Sequence, residues 1–330
     1  TFTSATIGHG GQGSQGNKAG NIDVTTGSAT LMAGSGSASH AKVGHSGADS
    51  TIGGEITLTA NSGALTLSGG GIASVAQVGH GANLHDGSIS GSVTVNADSV
   101  ELSAGNAGGA SAKIGSGGDG GSGNISGNIS VTTDVGGISL SGGDSDDAKS
   151  QIGHFGTNHG LNTIETNTIT VQSAGGLSLT TGDGARSSAL VGHGGGGGAS
   201  GRFGGDIDVD AFGGDINIMT SGSGQRSVAQ IGHTARDATL SGGINVQTAV
   251  GNNINVLATG TGGSSSAQIG HGQVGGRGDF SGRIIVGSGG DLTVSANDDA
   301  NGIYAKIGHG DDQAGINVLF AGSGTREGDI

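Results

Sequence analysis

Apolar residues along this chain stand two apart in short runs, with polar, β-compatible residues between them. One set of runs is Ile22/Val24, Ile56/Leu58, Val93/Val95, Ile129/Val131, Ile169/Val171, Ile207/Val209, Ile244/Val246, Ile284/Val286 and Ile316/Val318. A second set follows shortly after each: Ala29/Leu31, Leu65/Leu67, Val100/Leu102, Ile138/Leu140, Leu177/Leu179, Ile216/Ile218, Ile254/Val256 and Leu292/Val294. A third closes on the tripeptide Ile/Val-Gly-His: Ala5/Ile7, Ala41/Val43, Ala76/Val78, Ala112/Ile114, Ser150/Ile152, Ala189/Val191, Ala229/Ile231, Ala267/Ile269 and Ala305/Ile307. Alternation of period two marks a strand with one buried face. Gly, Asn, Asp and Ser fill the intervals, as turns require. No stretch sustains a helical period, so essentially no helix is expected. A further apolar column stands just before the first strand: Ile52, Ile89, Ile125, Ile164, Phe203, Leu240 and Phe280. It is expected to plug the coil where the chain turns into that strand.

The tripeptide ends at His9, His45, His80, His154, His193, His233, His271 and His309, and Ser116 takes the His place in one copy. Such even spacing over nine copies is an internal repeat. Three one-faced strands per repeat can bury their faces together if each repeat makes one coil and like strands stack. The expected fold is all-β: a right-handed parallel β-helix of about nine coils of 35–40 residues, three short strands per coil, forming a single domain over residues 1–330. At about 4.8 Å per coil the stack would run roughly 40 Å. A propeller blade would need four strands and aromatic signatures, and a calcium-binding roll repeats every nine residues. Neither pattern is present.

Composition sharpens this. The chain has 78 Gly, no Pro, no Cys, no Trp and one Tyr, too few aromatics for a large globular core. A narrow core of Ile, Val, Leu and Ala fits. Net charge is −14, from 12 Lys+Arg against 26 Asp+Glu, which argues against nucleic acid as a partner and suits an exported surface. No run reaches the ~18 apolar residues of a membrane helix, so no membrane insertion is expected. The chain opens at Thr1 without Met or a leader and is expected to be a piece of a longer polypeptide.

The strand pair from Gly54 to Leu67 (GEITLTANSGALTL), and Gly205-Asp206-Ile207-Asp208-Val209 with Gly214-Asp215-Ile216-Asn217-Ile218, resemble the rungs of filamentous-haemagglutinin-like large exoproteins, adhesins of two-partner secretion. The likeness covers nearly the whole chain. It implies a secreted or surface-held rod of a Gram-negative bacterium that mediates adhesion or builds a biofilm matrix.

Eight His in one column invite a metal reading. Strand phase points instead to a structural ladder at a coil corner, in which Ser116 can serve because only hydrogen bonding is needed. No metal, cofactor or catalytic residue is therefore assigned. The intervening column of the same strand, Thr6, Lys42, Gln77, Lys113, Gln151, Leu190, Gln230, Gln268 and Lys306, is expected to be a solvated face. Arg277-Gly278-Asp279 is a candidate adhesion motif if a loop tip displays it. Acids concentrate in Gly-rich turns, so the expected role is a non-catalytic structural or adhesive rod. A carbohydrate-active or carbohydrate-binding β-helix is the alternative. Expected partners are further copies or a continuation of the chain stacked end to end, and host or matrix glycans.

Overall fold

The computed structural model describes residues 3–11, 13–48, 51–81, 85, 87–119, 123–157, 162–164, 167–195, 200–235, 237–272, 276, 278–297, 302–310 and 326–327. These residues form strands and turns without helix. The chain winds into a parallel β-helix. Third strands of successive repeats, from Ser4–Ile7 to Tyr304–Ile307, build a nine-stranded sheet in chain order. First and second strands merge into a 15-stranded sheet, because Ile56–Ser68 and Val93–Ser103 each run through both positions.

The register follows the apolar columns. Ile56 pairs with Ile22 and Val93, Ile129 with Val93 and Ile169, and Ile207 with Ile169 and Ile244. Val100, Ile138, Leu177, Ile216 and Ile254 stack in the second column. Ala41, Ala76, Ala112, Ser150 and Ala189 stack in the third. A one-residue slip would turn every apolar side chain outward, so the pattern itself fixes this register. The inward residues form one continuous core along the axis. Among the described residues, complete coils number slightly fewer than nine. Ser4–Ile7 is a lone third strand, and Ile316/Val318 lie outside the described residues. The C-terminal pair Arg326–Glu327 adds to the edge of Ile284–Gly287 as the one antiparallel pairing among the described residues.

The column before the first strand does more than plug a coil. Ile52, Ile89 and Ile125 pair in parallel, as do Ile164, Phe203, Leu240 and Phe280. Ile52, Ile89, Ile125, Phe203 and Leu240, with Ala235 and Ala238, make a second, smaller core.

The corner between second and third strands has its own device. Ala38, Ala73, Asp147, Arg186, Arg226 and Ser264 all adopt positive φ, between 53° and 63°. Each is followed by a buried Ser or Ala, and among these Ser39, Ser74, Ser227 and Ser265 bond to turn backbone or to the next hydroxyl. Non-Gly residues in this region cost about 1 kcal/mol each. The hydroxyl bonds offset part of that cost.

Candidate functional site: the histidine column

The polar groups of the fold converge where the third strand ends. Gly of the tripeptide turns the corner with φ near +150°, as at Gly44, Gly79, Gly232 and Gly270. A side chain there would run into the carbonyl of the equivalent Gly one coil on. Only Gly fits, and the turn swings the next residue back inward. His45, His80, His154, His193, His233 and His271 are accordingly buried, as is Ser116, while the rings of the outermost coils, His9 and His309, are less covered. Adjacent imidazoles stack with centroids 4.7–5.0 Å apart and planes within 18° of parallel.

Each ring from His45 onward is held at both nitrogens. The backbone N–H of His45 donates to Nδ1 of His80 at 3.0 Å, and that of His193 to Nδ1 of His233 at 3.0 Å. The same bond recurs from His9 to His45, His154 to His193, His233 to His271 and His271 to His309. Ser116 keeps the ladder intact. Its Oγ accepts from His80 N–H at 3.1 Å, and its own N–H donates to Nδ1 of His154 at 3.1 Å. Since Nδ1 accepts, the proton resides on Nε2. Nε2–H donates to a carbonyl just before the first strand of the same coil: Gly20 for His45, Gly54 for His80, Gly127 for His154, Asn167 for His193, Gly205 for His233 and Gly242 for His271, at 2.7–3.1 Å. One imidazole thus closes its own coil and anchors the previous one.

The ring also diverts a bond. In an unbroken parallel ladder the His N–H would meet the Gly carbonyl of the next coil. With that N–H taken by the ring, the carbonyl needs another donor. It comes from the column expected to face solvent. Gln77 Nε2 donates to Gly115 O at 2.8 Å, Gln151 to Gly192 O at 2.8 Å, Gln230 to Gly270 O at 2.7 Å and Gln268 to Gly308 O at 2.8 Å. Lys42 and Lys306 instead reach other corner carbonyls, those of Gly81 and His309. Gln77, Lys113, Gln151, Gln230 and Gln268 are each at most 3% exposed, and Lys42 and Leu190 are also buried. The solvated-face expectation is therefore corrected. Chain beyond the tripeptide folds back over this face, and only Thr6 in the first coil is exposed. Lys113 lays its Nζ 3.2 Å from the ring centroid of Phe155, a cation–π contact in a covered site. Leu190 supplies no donor to the Gly232 carbonyl. Leu190→Gln should therefore stabilise the protein by about 1 kcal/mol, read as a higher urea midpoint. An unchanged or lower midpoint would show that this carbonyl needs no side-chain donor.

Burial is the main cause of every titration shift in the His column. Desolvation lowers His80, His154 and His233 to about 4 and drives His193 and His271 well below the ordinary value. Lys42 is lowered to about 7 by burial and then by the Lys113 charge. The geometry agrees with the direction for His, because a proton on Nδ1 would face the N–H that now donates to it. Binding a metal would break one of the two bonds each ring makes. Among the described residues no group of three or more His, Cys, Asp or Glu could hold one.

Ser116 suggests a direct comparison. At His193, Ser and Ala remove the same ring, but only Ser leaves an acceptor for the buried His154 N–H. His193→Ala should be the less stable variant by about 1–3 kcal/mol, measured by urea unfolding. Equal losses would mean that the ladder bond contributes nothing.

Arg277 lies outside the described residues. Gly278 and Asp279 are stacked on the coil below: Gly278 lies against the Ala238 carbonyl, and Leu240 N–H donates to Asp279 O at 2.8 Å. Their backbone runs in register into the Phe280–Ser281 strand. The serine column at the preceding corner was not singled out from the sequence. Its signal is a Ser two residues before the inward Ala of the third strand, as in Ser39-His40-Ala41, Ser74-Val75-Ala76, Ser187-Ser188-Ala189, Ser227-Val228-Ala229 and Ser265-Ser266-Ala267.

No protein-family profile, curated protein or solved structure matches this chain.

Proposed function

We propose that this chain is a non-catalytic structural rod, secreted or held at a cell surface, with an adhesive or matrix-building role. One observation carries the reading: buried imidazoles, amides and hydroxyls, the groups that elsewhere perform chemistry, are used here to bond coil to coil along one axis. The resemblance of its rungs to large exoprotein adhesins supports the extracellular half of the proposal, as does the acidic composition. A chain built this way should bear load along its length and lose coils in steps. Single-molecule pulling tests this: extension should release in increments of one repeat or small multiples. A single all-or-none rupture at low force, or turnover of any substrate in a polysaccharide panel, would overturn it. End-to-end association of copies belongs to the same proposal, and sedimentation velocity across a concentration series measures it. The carbohydrate-binding alternative is favoured by one specific arrangement on the outer face of the first strands.

A further inference from the structure

Alternation continues past the end of the first strand in one coil. In Ile207–Ala211 the inward residues Ile207, Val209 and Ala211 are buried, so Asp208, Asp210 and then Phe212 face outward in one row. Phe212 is 56% exposed, whereas Phe155 and Phe203 are buried and Phe280 is partly so. The backbone ladder continues to it, from Phe212 N–H to Ser173 O and from Ala249 N–H to Ala211 O. Its neighbours up and down the axis are therefore Ala174 and Ala249, too small to cover the ring. The flanking coils put Thr170 and Gln172 on one side of the two Asp, and Asn245 and Gln247 on the other.

These polar groups are pre-oriented. Asn245 Nδ2 donates to Asp208 Oδ1 at 2.7 Å, and Gln247 Nε2 donates to Asn245 Oδ1 at 2.9 Å. Neither carboxylate is paired with Lys or Arg among the described residues, where the one salt bridge joins Arg186 to Asp147. Asp210 is raised by burial and by Asp208 beside it. The row spans about 13 Å along the strand and about 10 Å across three coils.

We propose that this row binds a glycan containing free amino sugars. An open aromatic face stacks on the C–H face of a pyranose and attracts an ammonium. Fixed carboxamides bond to ring hydroxyls. Two unpaired carboxylates complement an ammonium through charge-assisted hydrogen bonds, and they repel uronic acids. The inference adds a ligand class to the adhesive half of the rod reading and rests on that reading only there. Its failure would leave the load-bearing proposal standing.

The test is calorimetric titration of the purified chain with fully deacetylated glucosamine oligomers. N-acetylated oligomers and oligogalacturonate serve as comparators. Because the chain is acidic overall, general attraction of a polycation must be separated from a site. Phe212→Ala keeps every charge, and Asp144→Asn/Asp146→Asn removes two charges in a distant exposed turn. The proposal expects saturable binding that Phe212→Ala weakens at least tenfold, Asp208→Asn/Asp210→Asn weakens at least tenfold, and the turn pair leaves within twofold. Circular dichroism should show all variants folded, since every substituted side chain faces out. Absence of binding, equal binding by Phe212→Ala, or equal weakening by the turn pair would overturn the site. Tighter binding of the N-acetylated or uronic oligomers would overturn the amino-sugar assignment.

Discussion

Acidification from pH 7 to pH 4 should unfold this protein, with a midpoint inside that interval. The cause is the His column. Folded His80, His154 and His233 titrate near 4, and His193 and His271 also lie well below the value of about 6.5 expected in the unfolded chain. Between these limits the unfolded chain binds more protons than the folded one. Stability is therefore fully present above about 6.5 and drains away as pH falls toward 4. A shift from 6.5 to about 4 corresponds to about 3 kcal/mol for each site. Three such sites rival the roughly 5–15 kcal/mol that holds a typical domain together. Urea unfolding followed by circular dichroism at a series of pH values measures the effect. A midpoint that stays level from pH 7 to pH 4 would rule out a buried, neutral column. Lys42 acts in another window: with its folded value lowered to about 7, stability should climb as pH rises from about 7 toward 10.5.

The second large effect concerns the corner glycine. Gly232→Ala should cost several kcal/mol, about 4 or more. At φ +151° any side chain is strained, and the added methyl would overlap the Gly270 carbonyl. That carbonyl accepts the Gln230 amide, and the next residue is the ladder His233. Displacing the backbone there therefore releases the ring stack as well. Gly11→Ala is the control, since nothing lies near a methyl at that position and its φ is not positive. Hydrogen exchange should show protection lost in the coils on both sides of Gly232 and retained in the Gly11 variant. Protection unchanged in both variants would show that the corner has room after all.

Much of the fold was legible because a narrow solenoid writes its register into the sequence. Ile56, Val93, Ile129 and Ile169 align by counting residues, and they pair as counted. The inward phase of His after Gly was legible too, since alternation can be carried through the turn. The burial of Gln77, Gln151 and Gln230 was not. Period two reports which side of a strand a residue takes, and a polar residue on the outer side ordinarily means water. Here the ring of the neighbouring coil takes a backbone N–H, and the deprived carbonyl draws the Gln amide under cover. That need arises only from the three-dimensional bond pattern. Phe212 escaped notice for a related reason, as it lies one step beyond the strand that its alternation extends.

Ser116 can now be seen as a firebreak. It divides the imidazoles into one block of His9, His45 and His80 and another running from His154 to His309. Within a block a charged ring confronts its neighbour across one coil, whereas across Ser116 the separation doubles to about 10 Å and the repulsion falls accordingly. Protonation that spreads through one block meets a weaker push across the serine, where His80 and His154 still repel at twice the distance. A rod so divided can come apart at one end in acid while the other end still stands.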